Sequence, residues 1–91
     1  NKIVKGESCM KNIQKSSLVV DRQKKELSLV VKKDCSDSSN IDFLSQIITL
    51  AYQYQATMTY YELNDELIII FWVGNKDLLD KIESELQIMN I

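Results

Sequence analysis

The chain has 91 residues, which is enough for one compact domain and too few for two. Hydrophobic residues make up 45% and charged residues 26%, a globular rather than a disordered balance. Residues 1–34 carry nine basic and four acidic side chains, a net charge of +5, whereas residues 35–91 carry two and nine, a net charge of −7.

Several kinds of active site are excluded by composition. The chain has no histidine, which removes Ser-His-Asp and Cys-His catalytic arrangements and histidine-containing zinc sites. Its two glycines stand apart, so no glycine-rich phosphate loop exists. We therefore expect a protein that is not an enzyme and that binds no cofactor and no metal.

The first 16 residues show no clear periodicity, and we interpret them as an N-terminal arm that precedes a single α+β domain over residues 17–91. The first residue is asparagine, which favours a domain of a larger protein. Cys9 and Cys35 are too few for a disulfide framework, and reduced thiols in a cytoplasmic or other intracellular compartment are the favoured interpretation. A Cys9–Cys35 disulfide would instead indicate an extracytoplasmic location.

Two β-branched runs predict a first hairpin. Residues 18–20 and 27–31 flank the polar segment from Asp21 to Lys25, which is typical of a hairpin with a longer loop. In the second run Leu27, Leu29 and Val31 would share one face.

A polar loop over residues 34–40 then leads into a predicted amphipathic helix from about Ile41 to Gln55, with Ser39 as its N-cap. The expected core positions of this helix form two adjacent ridges: Ile41, Leu44, Ile48 and Ala51, with Ile47, Leu50 and Tyr54 beside them.

Residues 57–63 and 67–73 predict a second hairpin around Asn64 and Asp65, residue types that tolerate tight turns. Asn75 is a good N-cap for a final helix over residues 76 to about 90. Its expected core ridge is Leu78 or Leu79 with Ile82, Leu86 and Met89. No apolar run is long enough to span a membrane.

The element order β-β-α-β-β-α predicts an α+β fold: a two-layer sandwich with a mainly antiparallel four-stranded sheet and two helices on one face. The two halves resemble one another, either through an old duplication or because two ββα units meet the same physical demands. We favour the second explanation, since the identities are few.

The segment from Leu67 to Val73 is the most informative one. If Leu67 and its alternate neighbours face the helices, Ile68, Ile70 and Trp72 face the opposite side, where an antiparallel sheet open to water would carry polar residues. We therefore predict a partner-binding surface made of Ile68, Ile70 and Trp72, adjoined by Tyr61 and Val30. The alternative is that residues 1–16 fold across this face, using Ile3, Val4, Met10 and Ile13.

We accordingly expect a non-catalytic protein-interaction or regulatory domain whose partner is another protein or a second copy in a homo-oligomer. The basic loop of the first hairpin, with Arg22, Lys24 and Lys25, would steer the partner by charge complementarity. A nucleic-acid-binding module that uses this basic hairpin is the alternative. An enzyme with an activated Cys35 ranks third.

Overall fold

The computed structural model of the chain describes residues 13–33 and 37–89. The elements follow in the predicted order, which confirms the α+β fold. The strands are β1 (Gln14–Asp21), β2 (Glu26–Lys32), β3 (Thr57–Leu63) and β4 (Glu66–Trp72), and the helices are α1 (Asp37–Gln53) and α2 (Lys76–Ile88).

The four strands form one sheet in the order β1-β2-β4-β3, and every pairing is antiparallel. The two apolar strands, β2 and β4, are therefore central, with Leu29 opposite Ile69 at the middle of their pairing. β1 and β3 form the two edges.

Both helices pack on one face of the sheet, around a single buried cluster. β2 and β4 have the same alternation of buried and more exposed positions, as expected for strands with one face turned to the core. Within the cluster, the sheet layer contributes Leu27, Leu29, Val31, Leu67, Ile69, Phe71 and, directly after β4, Val73. The helix residues are Phe43, Ile47, Leu50, Ala51, Leu79, Ile82 and Leu86.

The two ββα halves are related by an approximate twofold axis between β2 and β4. Lys33 N donates to the Asp65 carbonyl at 2.9 Å, and Val73 N donates to the Lys25 carbonyl at 3.0 Å. The two donors, Lys33 and Val73, are as far apart along the chain as the two acceptors, Lys25 and Asp65. The two bonds are therefore equivalent. Each bond joins the end of one central strand to the turn that precedes the other.

The position and rotation of α1 differ from the prediction. The helix begins at Asp37, so Ser39 lies inside its first turns and is not the N-cap. Phe43 is buried in the core, whereas Ile41 is 61% and Ile48 is 51% exposed, so two of the expected core positions are wrong. The buried residues 43, 47, 50 and 51 follow the i, i+4, i+7, i+8 spacing of one helix face, which turns Ile41 and Ile48 to its flank.

The second hairpin and α2 follow the prediction closely. Asn64 adopts a positive φ of 61° in the two-residue turn, as its residue type allows. Asn75 is the N-cap of α2, because its side chain accepts a hydrogen bond of 2.9 Å from Asp77 N. The helix ends at Ile88, and Leu79, not Leu78, is the fully buried member of its first turn.

β1 begins at Gln14, earlier than the predicted run at residue 18 and within the segment interpreted as an arm. A bulge at Ser16 interrupts its pairing with β2. Ile13 packs against the core cluster on the helix side, not across the opposite sheet face. Ile3, Val4, Cys9, Met10 and Cys35 lie outside the described residues.

Candidate functional site

The sheet face that points away from both helices is here named the open face. Strand alternation places every second residue on it, and register fixes which ones. Within the described ranges 13–33 and 37–89, neither helix packs on it. It comprises Gln14, Ser17, Val19 and Asp21 of β1, Glu26, Ser28, Val30 and Lys32 of β2, Glu66, Ile68, Ile70 and Trp72 of β4, and Thr57, Thr59, Tyr61 and Leu63 of β3.

All five residues predicted to bind a partner lie on the open face. Val30, Ile68 and Tyr61 form one row across three strands, since Val30 pairs with Ile68 and Ile68 pairs with Tyr61. Ile70 and Trp72 continue the patch along β4. The side chains of Val30, Ile68 and Ile70 are half-buried, whereas Tyr61 is 52% and Trp72 is 38% exposed.

Two further apolar residues extend this patch, and sequence reasoning missed them. Val19 of β1 is 58% exposed and pairs with Ser28, in the same row as Ile70. Leu63 of β3 is 56% exposed and pairs with Glu66. Pairing the strands residue by residue around each predicted turn would have placed Val19 and Leu63 on this face.

Charged side chains border the apolar patch at both ends. Trp72 Nε1 donates to Glu26 Oε1 at 3.0 Å, and Glu26 itself lies opposite Asp21. At the other end Lys32 is opposite Glu66. With three carboxylates and one ammonium group, the open face carries a net charge of −2.

The three basic residues predicted to steer a partner occupy the turn between β1 and β2, with different roles. Arg22 forms an ion pair with Asp80 of α2, which ties the turn to the helix layer. Lys25 adopts a positive φ of 55°, and its carbonyl accepts the hydrogen bond from Val73 N. Lys24 is exposed, and its backbone N–H donates to Asp21 Oδ1 at 3.1 Å.

A second apolar surface, the edge groove, lies between α1 and the outer edge of β3. Its volume is about 410 Å³. Tyr52 is 87% exposed there, Ile48 51% and Tyr60 45%. The groove was not predicted from the sequence. Its lining residues are Ile48, Ala51, Tyr52, Ala56, Met58, Thr59 and Tyr60.

A third depression, polar and shallow, lies between Tyr54 and the outer surface of α2. Its carboxylates already have partners: Asp80 pairs with Arg22, and Glu85 Oε2 accepts a hydrogen bond of 3.2 Å from the Tyr54 hydroxyl. Partial burial and the neighbouring Glu85 carboxylate both raise the pKa of Tyr54. No group of three metal-binding side chains occurs in the described part of the chain.

The described helices include none that is both long enough and apolar enough to cross a membrane. No protein-family model, curated protein or solved structure matches the chain.

Proposed function

We propose that this chain is a non-catalytic protein-interaction domain that binds another protein through the open face. The observation that carries the proposal is the apolar row Val30–Ile68–Tyr61, uncovered by either helix and continuous with Ile70 and Trp72. An antiparallel sheet whose second face meets only water carries polar residues there. Here the central strand β4 carries two isoleucines and the only tryptophan.

The size of the open face suits a modest interface. Four strands at about 4.8 Å spacing and seven residues at about 3.3 Å each give roughly 400 Å² of flat surface. The apolar patch occupies part of this area, because polar and charged residues hold the rest of the face. Apolar patches of a few hundred Å² on monomers are often functional. Tryptophan and tyrosine are the side chains that most often dominate binding energy at such surfaces, which favours Trp72 and Tyr61 as anchors.

Electrostatics favours a protein over a nucleic acid as the partner. The open face has a net charge of −2, which would repel phosphate groups. Arg22, one of the three basic residues of the first turn, is already paired with Asp80.

The cysteine count supports an intracellular compartment for this proposed activity.

A photo-crosslinking amino acid at position 19 tests the proposal. Val19 is 58% exposed on the open face and lies on the strand farthest from β3, so a bulky aromatic substitute leaves the core intact. The chain would be expressed in its own cells and irradiated. We expect a discrete adduct with another protein from position 19, and none with the same crosslinker at Gln46, an exposed position on α1.

Trp72→Glu, introduced together with the crosslinker at position 19, should abolish the adduct while leaving the far-ultraviolet circular dichroism unchanged. The matched control is Gln46→Glu, which places the same charge at an exposed position on α1, away from the open face, and should retain the adduct. An adduct that survives Trp72→Glu, or no adduct specific to position 19, contradicts the proposal. Unfolding of the Trp72→Glu variant would show that Trp72 belongs to the core, and would also contradict it.

A further inference from the structure

We propose that the β3 edge binds a second copy of this chain, so that two sheets join through β3 and its symmetry mate into one eight-stranded antiparallel sheet. The β3 edge shares Tyr61 and Leu63 with the open face but does not include Val30, Ile70 or Trp72. It rests on a difference between the two edges of the sheet and on an exposed helix stripe beside one of them.

The β1 edge carries features that block the addition of another strand. A bulge at Ser16 breaks its register with β2. Lys15 pairs with the buried Val31 and therefore belongs to the helix side of the sheet. An incoming strand would have to pack against its charged side chain. Bulges and inward-pointing lysines are the devices by which sheet edges avoid pairing with other chains.

The β3 edge has neither feature. Its register with β4 is unbroken from Thr57 to Leu63, and the strand contains no proline, lysine or glycine. Its one charged residue, Glu62, is occupied by Lys33, whose Nζ lies 3.0 Å from Glu62 Oε1. A long, regular edge without protection is a template for strand addition.

The helix layer beside β3 identifies the kind of partner. Ile41, Ile48 and Tyr52 are 61%, 51% and 87% exposed, and their i, i+7, i+11 spacing makes a stripe along one flank of α1. Ile48 and Tyr52 line the edge groove together with Met58 and Tyr60 of β3, so the stripe faces the β3 edge. A peptide that only added a strand would leave the stripe in water.

A second copy covers both layers at once. A twofold axis perpendicular to the sheet at the β3 edge sets β3 against its mate and α1 against the α1 of the mate, at matching heights. Cyclic dimers of this kind are the commonest symmetric oligomers. With Tyr60 opposite its mate, both helix layers lie on the same side of the joined sheet, and Glu62 lies opposite Met58 instead of another carboxylate.

The buried area is adequate for a dimer. Tyr52, Tyr60, Tyr61, Ile48 and Leu63 lie on or beside the edge and are 45–87% exposed. At about 200 Å² for a fully exposed large side chain, they would contribute at most roughly 600 Å² per copy. Together with the backbone of the joined strands, the total reaches the ~1,200 Å² at which stable interfaces begin.

The solution mass of the full chain, measured by sedimentation at several concentrations, tests the inference. We expect the mass to rise with concentration from 10.5 kDa toward twice that value. Tyr60→Lys, which copies the inward lysine of the β1 edge, should raise the dissociation constant of the dimer at least about tenfold. Tyr52→Lys should have a similar effect without touching the sheet, because this side chain is 87% exposed.

Two controls separate this interface from the open face. Gln46→Lys places the same charge on the other flank of α1 and should leave the dimer intact. Trp72→Glu, which disables the open face, should also leave it intact. A chain that stays at 10.5 kDa at every concentration overturns the inference. So does a dimer that survives both lysine variants at the edge, or one that Trp72→Glu dissociates.

Discussion

The indole nitrogen of Trp72 donates a hydrogen bond of 3.0 Å to the Glu26 carboxylate, across the two central strands. These residues are direct register partners at one end of the open face. The bond satisfies the single polar atom of the indole and restricts the rotation of the ring. The ring therefore presents an ordered apolar surface, which lowers the conformational entropy lost when a partner binds.

Replacement of Glu26 by alanine tests this role of the bond. Because the pair is exposed, we expect a loss of only about 0.5–1 kcal/mol in the free energy of unfolding. The larger effect should be on the tryptophan itself, whose fluorescence anisotropy should fall as the ring gains freedom. Trp72 is the only tryptophan, so the signal has one source. Glu26→Gln, which keeps an acceptor, should retain the anisotropy; equal losses in both variants would contradict the assignment.

Leu29 and Ile69 face one another at the centre of the sheet, and both are fully buried. Leu29→Ala should destabilise the domain by about 2–5 kcal/mol, through lost apolar burial and the cavity left behind. That is a large part of the ~5–15 kcal/mol that stabilises an ordinary domain. Urea denaturation followed by circular dichroism measures this loss in the free energy of unfolding.

Val19→Ala is the control for the core variant, because Val19 is 58% exposed on the open face of the same sheet. It should change the free energy of unfolding by no more than about 0.5 kcal/mol. If Leu29→Ala and Val19→Ala lower the free energy of unfolding by the same amount, the placement of the core on the helix side of the sheet is wrong.

The alternation within β4 was predictable because strand periodicity is local. Once one face of Leu67 to Val73 is assigned to the core, Ile68, Ile70 and Trp72 must occupy the other. Tyr61 follows in the same way, since register around the short turn between β3 and β4 is fixed locally. Val30 adjoins Ile68 because β2 pairs with β4, which is a long-range contact.

The rotation of α1 and the edge groove were not predictable in this way. Between Ile41 and Tyr54 the helix is apolar on more than half of its circumference, so several ridges compete for the core. Burial of Phe43 in preference to Ile41 depends on where the sheet lies. The edge groove depends on the strand order β1-β2-β4-β3, a long-range property that brings β3 beside α1 and leaves it at an edge.

The ion pair between Arg22 and Asp80 should contribute little to stability. Both side chains are 54% exposed, and solvent screens such pairs. A double-mutant cycle with Arg22→Gln and Asp80→Asn should give a coupling energy of about 0.2–1 kcal/mol that decreases as salt is added. Lys24→Gln is the matched control, since this substitution removes the same charge at an exposed site without breaking the ion pair. A coupling energy that is insensitive to salt would contradict the exposed geometry.

Tyr54 links the end of α1 to α2 through its hydrogen bond to Glu85, and it should make stability depend on alkaline pH. Partial burial and the Glu85 carboxylate raise the pKa of Tyr54 in the folded state above the ~10 of an unfolded tyrosine. The folded state therefore favours the neutral phenol. This contribution is fully present below about pH 10 and is lost as the pH rises through the higher pKa of the folded state.

Tyr54→Phe removes both the hydrogen bond and the titrating group. At neutral pH the variant should be less stable than the wild type, because Glu85 loses its donor while the phenyl ring keeps the packing. The difference should shrink as the pH rises above about 10, where ionised Tyr54 would face the Glu85 carboxylate. Urea denaturation at a series of pH values measures it, with Tyr52→Phe as the control at an 87% exposed site. A difference between Tyr54→Phe and wild type that stays constant across this range would show that the phenol does not titrate against Glu85.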